Sequence, residues 1–70
     1  MKDHYAASVA YDDHNDEWSD WPVQSITYDD LVAHVKEVLT LRKNAEVFFA
    51  VYVKDGKEID ITERVRVACQ

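Results

Sequence analysis

Between Tyr5 and Tyr11 the chain alternates: Tyr5, Ala7, Val9 and Tyr11 fall on one side of an extended backbone, and Ala6, Ser8 and Ala10 fall on the other. Period-two alternation predicts a strand. Residues 12–21 replace it with acidic and turn-forming side chains and read as a loop. Pro22 restricts any strand in the stretch WPVQSIT to a short sheet edge, because proline cannot donate to a ladder. The pattern leaves that strand open. At Thr27 the period changes. Asp30 stands three residues on, as in a capping box, and Asp29 and Asp30 occupy the first turn, where a helix dipole favours carboxylates. Leu31, Val35, Val38 and Leu39 then recur on one helical stripe, while Lys36, Glu37 and Arg42 lie off it. The spacing predicts a helix over residues 28–42, with Arg42 and Lys43 complementing its negative end and Asn44 closing it.

The run EVFFAVYVKDGKEIDIT predicts a β-hairpin around Asp55-Gly56. Two registers compete. A two-residue turn pairs Val51 with Asp60 and Phe49 with Thr62, mixing apolar with polar residues. A three-residue loop, Lys54-Asp55-Gly56 with glycine at a bulge, pairs Val51 with Ile59 and Phe49 with Ile61, and is preferred because it sets apolar against apolar. Phe48, Ala50 and Tyr52 then form the other face, opposite Thr62, Asp60 and Glu58. Alternation continues through Val65, Val67 and Cys69 with a bend near Glu63, since an unbroken strand from 57 to 69 would far exceed the usual length of about five or six residues. The expected fold is α+β, a single compact domain over residues 1–70. It has a small antiparallel sheet of three to four strands with one helix packed on one face, in the order β-α-β-β or, if WPVQSIT pairs, β-β-α-β-β.

Composition narrows the class. A chain of 70 residues buries only about 60% of the surface its unfolded form exposes, so its core is small. Hydrophobic residues at 47% and charged residues at 31% suit a folded domain rather than a disordered one. The lone cysteine, Cys69, has no intramolecular partner, which fits a reducing compartment. The start MKDHYAAS lacks the apolar stretch of a signal peptide, and the longest apolar run, VFFAVYV at 47–53, falls far short of the ~20 residues a spanning helix needs. A cytoplasmic location with no membrane partner is expected.

The net charge of −6 is unevenly spread. From Asp3 to Val35 there are eight acidic residues and no lysine or arginine. From Lys36 onward seven basic residues meet six acidic ones. Residues 11–22, YDDHNDEWSDWP, hold five carboxylates and two tryptophans. Such a balance speaks against direct contact with nucleic acid or an anionic membrane, both of which require a positive surface, and favours a basic protein partner.

The candidate chemistry is thin. Asp13, Asn15 and Glu17 alternate like the start of a calcium loop, but Trp18 stands where that loop needs glycine and Ser25 where it needs glutamate. His14 beside Asp12 and Asp16 reads as a solvated loop residue rather than a metal ligand. Cys69 with His4, His14 or His34 is the only nucleophile and base pairing, and Cys69 lies one residue from the end of the chain. No catalytic residue, metal or cofactor is expected. What remains is the acidic and aromatic segment, in which tryptophan is a favoured interface anchor. Trp21, next to Pro22 and Val23, is read as the indole that folds back on the core, and Trp18 as the exposed one.

The expected function is therefore that of a small acidic binding protein which inhibits or modulates a nucleic-acid-handling protein or complex. Asp12, Asp13, Asp16, Glu17 and Asp20 supply the field and Trp18 and Trp21 the contact area, with Asp29 and Asp30 adding to it if the loop lies beside the helix N-terminus. Its length, charge and single-domain character are similar to those of phage-encoded inhibitors of bacterial defence, including anti-CRISPR proteins and nucleic-acid mimics. That likeness implies a basic, nucleic-acid-binding cleft as partner and the host-cell cytoplasm as location. It rests on overall character rather than on a motif. The alternative from another class is an assembly module that homodimerises, or docks on a larger complex, through a sheet face with Phe48 and Tyr52 or through an unpaired edge strand.

Overall fold

The alternation of β1 (His4–Asp12) sorts the whole sheet. Ala7 and Val9 point into the core, and both neighbouring strands follow their phase. β2 (Trp18–Ser25) sets Val23 opposite Ala7, and β3 (Glu46–Lys54) sets Ala50 opposite Ala7 and Val47 opposite Val9. With β4 (Lys57–Asp60) the sheet is four-stranded and antiparallel, in the order β2-β1-β3-β4. The helices α1 (Tyr28–Leu41) and α2 (Thr62–Ala68) cover one of its faces. This computed structural model describes residues 2–12, 17–42 and 44–70.

The α+β class expected from the pattern holds, and α1 starts as its signals require, but its last turn holds no basic residue and its cap is Arg42 in extended backbone rather than Asn44. Thr27 Oγ1 accepts the Asp30 amide at 3.2 Å, Leu31, Val35 and Val38 are buried, and the helix ends one residue before Arg42. Asn44 follows in the left-handed region at φ 53. Three other expectations change.

Residues 18–21, read as loop, belong to β2, which takes Pro22 in its middle. As an edge strand β2 can hold a proline whose missing donor faces outward, and burying Val23 fixes its phase.

The hairpin register is the two-residue one, with Lys54 opposite Lys57 and Val51 opposite Asp60. Asp55 at φ 52 and Gly56 at φ 77 both adopt left-handed backbone, as in the tight turn whose twist matches that of the strands. The expected burial of β3 is correspondingly reversed. A bulge opposite Ser8 and Val9 leaves Phe48 as an extra residue. Val47 and Ala50 become the buried positions, Tyr52 stacks on Tyr5 at 4.5 Å on the helix side, and Phe49 and Val51 turn away from the helices.

The tail is a helix rather than a strand. Asp60 Oδ1 accepts both the Thr62 amide at 2.9 Å and the Thr62 hydroxyl at 2.6 Å, an Asx-type turn that starts α2. Ile61, Val65 and Cys69, four apart, pack toward the core. Arg66 then anchors α2 to β3 by donating Nε and Nη2 to the Val47 carbonyl at 3.1 and 3.0 Å.

Candidate partner-binding face

Because Ala7, Val9, Val23 and Ala50 point toward the helices, the residues between them point the other way, onto a face that neither α1 nor α2 covers. Its rows follow from the register. Asp20, Ala10 and Glu46 lie side by side, as do Pro22, Ser8 and Phe49, then Gln24, Ala6, Val51 and Asp60, then His4, Val53 and Glu58. Asp12 and Trp18 close one end as a pair. Phe49 is 43% exposed, and Phe48, 61% exposed, sets its ring edge-on to it at 5.8 Å. These two rings beside Pro22 form an apolar centre of the kind that marks interaction surfaces, and Trp18, 63% exposed, stands apart from it at the end of the face beyond the Asp20 row.

The rim of that centre carries Asp12, Asp20, Glu46, Glu58 and Asp60. None of the strand residues on this face is lysine or arginine. Among the described residues the cations sit elsewhere. Lys36, Arg42, Arg64 and Arg66 belong to the helix layer, Lys54 and Lys57 to the hairpin tip, and Lys2 precedes β1. The fold thus keeps lysine and arginine off the strands of this face, whose charged residues apart from His4 are all acidic.

This arrangement sorts the residues expected to bind a partner. Asp12, Trp18 and Asp20 are on the open face, and Glu17 is exposed immediately before it. Asp13 and Asp16 lie outside the described residues. Trp21 belongs to the helix side, 36% exposed, under the guanidinium of Arg42 at 4.6 Å and against Tyr11 at 6.4 Å. Asp29 and Asp30 occupy the first turn of α1, at the opposite end of β2 from Trp18, roughly 23 Å away along the strand. They do not join the acidic field. Glu46, Glu58 and Asp60 do, and the sequence pattern missed them because their half of the chain is nearly neutral. The Asp-Gly turn was the available signal, since its two-residue register places Asp60 beside Val51.

No family model, curated protein or solved structure matches this chain.

Other candidates contribute less. Burial pushes the Cys69 thiol above its ordinary pKa, despite the opposing charge of Lys36, which is the reverse of what an activated nucleophile needs. His4 is on the open face, across the sheet from Cys69, and the His34 Nδ1 is engaged with Ser25 Oγ at 3.2 Å. No group of three or more potential metal ligands occurs among the described residues. A groove of about 290 Å³ between β2 and α1, with Trp21, Pro22, Val38 and Leu41 among its walls, is at the lower limit for a small-molecule site. No helix is long and apolar enough to cross a membrane among the described residues.

Proposed function

We propose that the protein is a non-catalytic binding protein that docks its open sheet face on a basic protein surface of the kind that handles nucleic acid, and so inhibits or modulates that partner. One observation carries this. Every charged strand residue on the exposed apolar face, His4 aside, is a carboxylate. Like charges gathered on one face of so small a fold repel one another and oppose folding. A cationic surface removes that penalty and gains steering from it. The deep basic surfaces that fit are those built for phosphate backbones, and the cytoplasm, the host-cell cytoplasm if the protein is phage-encoded, is where it would meet them.

A homodimer through the same face is disfavoured, since it would set five carboxylates against five. Edge pairing is disfavoured too. Pro22 interrupts β2, and β4 is short and carries Lys57, Glu58 and Asp60, both of which are guards against strand addition.

The test is capture from nuclease-treated bacterial lysate by the native protein and by the variant Asp12→Asn, Asp20→Asn, Glu46→Gln, Glu58→Gln. The native protein alone should retain a basic nucleic-acid-binding protein, and adding it should displace that protein from an oligonucleotide. Equal capture by both proteins, or no displacement, would sink the proposal.

A further inference from the structure

Along the open face the central strand β1 presents Ala6, Ser8 and Ala10, while its neighbours present Pro22 on one side and Phe49 and Val51 on the other. Small side chains between larger ones make a trough along β1. Its walls rise from strands whose axes lie two spacings, about 10 Å, apart, so a helix about 10–12 Å across with its side chains lies over β1 and only one stripe of its side chains enters between the walls. The nine residues of β1 run about 26 Å, the length of a helix of about 18 residues. The other side of the sheet already shows such a fit, where α1 packs on β1 and β2 over Ala7, Val9 and Val23.

Ser8 marks the floor of the trough. It is the one buried polar residue among those described, at 8% exposure. Beyond the His4 end of the trough lies a hollow of about 500 Å³ bordered by Lys2, His4, Gln24 and Ile26. At the other end stand Asp12, Asp20 and Glu46.

Resting on the proposed function, we infer that the open face seats a single amphipathic α-helix of the partner. The helix lies along β1 with an apolar stripe in the trough and lysine or arginine on both flanks. Asp20 faces one flank, and Glu46, Asp60 and Glu58 the other. The positive end of the helix dipole belongs at Asp12 and the negative end at Lys2, so the helix runs antiparallel to β1. Nucleic-acid-binding proteins lay helices of this kind in a major groove about 12 Å wide. Here the trough takes the place of that groove and the carboxylates the place of its phosphates.

The probe is a synthetic peptide of about 18 residues, with an alanine and leucine stripe flanked by lysines and a paramagnetic tag at its N-terminus. One control peptide has two central prolines that break the helix, and another has glutamate for lysine. Binding is read from backbone amide shifts of the isotope-labelled full chain. The intact basic peptide should bind at least about tenfold more tightly than the proline peptide, since a central proline removes a helix hydrogen bond and breaks the helix. It should shift Ala6, Ser8, Ala10, Phe49 and Val51, and broaden signals near Asp12 rather than near Lys2. Equal binding of the intact and proline peptides would overturn the helix and leave a basic partner of another shape. Equal binding of the glutamate peptide would overturn the helix and the charge reading together. No binding, or shifts confined to the groove between β2 and α1, would overturn the helix alone, because lysate capture tests the basic partner independently. Peptide variants leave the protein unaltered, so misfolding cannot mimic any of these outcomes.

Discussion

The hydroxyl of Thr62 accepts a hydrogen bond from the Ala50 amide at 3.0 Å, and this contact lets the chain leave the sheet for a helix without orphaning a ladder donor. Ala50 is fully buried between β1 and α2. Its carbonyl accepts the Ile61 amide at 2.9 Å. Thr62 Oγ1 thus completes the pairing of β3 where β4 has ended.

Thr62→Val keeps the side-chain shape and removes the acceptor. A buried amide left without a partner costs about 1–3 kcal/mol, and a domain of this size loses about 4–8 °C of Tm per kcal/mol. Thermal unfolding followed by circular dichroism should show that drop. A loss within the measurement error would mean that the Ala50 amide finds another acceptor.

Asp60 supplies the pH dependence. Hydrogen bonds from the Thr62 hydroxyl and then its amide hold the Asp60 carboxyl below its usual value of 3.8. A lowered folded-state pKa adds stability that is complete above the ordinary aspartate range and is lost as pH falls through the lowered value. The native protein should therefore be more stable than Asp60→Asn at neutral pH, and the difference should shrink on acidification below about pH 4. Urea midpoints across that range check it, and a constant difference would count against the carboxylate as the starting point of α2.

Gly56 makes a purely conformational contribution. A Cβ there would meet nothing within 4 Å, so at φ +77 the cost of Gly56→Ala is backbone strain alone, about 1–2 kcal/mol. Asp55→Asn, at φ 52, should change stability by less than about 0.5 kcal/mol, since asparagine tolerates left-handed backbone. Comparable losses from both would indicate that the Asp55 carboxylate makes a contact the turn depends on.

The acidic face should cost stability whenever no partner is present. The variant with Asp12, Asp20, Glu46 and Glu58 neutralised should melt several degrees above the native protein at about 10 mM salt, and the gap should close near about 1 M, where charges are screened within about 3 Å. A gap independent of salt would show that the substitutions act through packing rather than charge.

What the sequence determined by itself is what local contacts decide. The cap at Thr27, the acidic first turn and the stripe of Leu31, Val35 and Val38 act within four residues of one another, so α1 was legible to within a residue. β1 was legible because both of its faces alternate over seven residues, and Asp55-Gly56 because left-handed backbone admits few side chains. Tertiary structure decided which side of each strand is inside. The bulge at Phe48 changes the phase of β3, so Ala50 is buried while the larger Phe49 and Val51 are turned outward. It made β2 of a segment that looks like loop, because β1 offers a ladder and Val23 a place in the core. It also made a helix of a tail whose valines alternate like a strand, because Asp60 and Thr62 turn the chain back over Ala50. The candidate face shows the same division. Asp12, Trp18 and Asp20 could be read from composition, but Glu46, Glu58 and Asp60 join them only through strand order and register, which depend on partners distant along the chain.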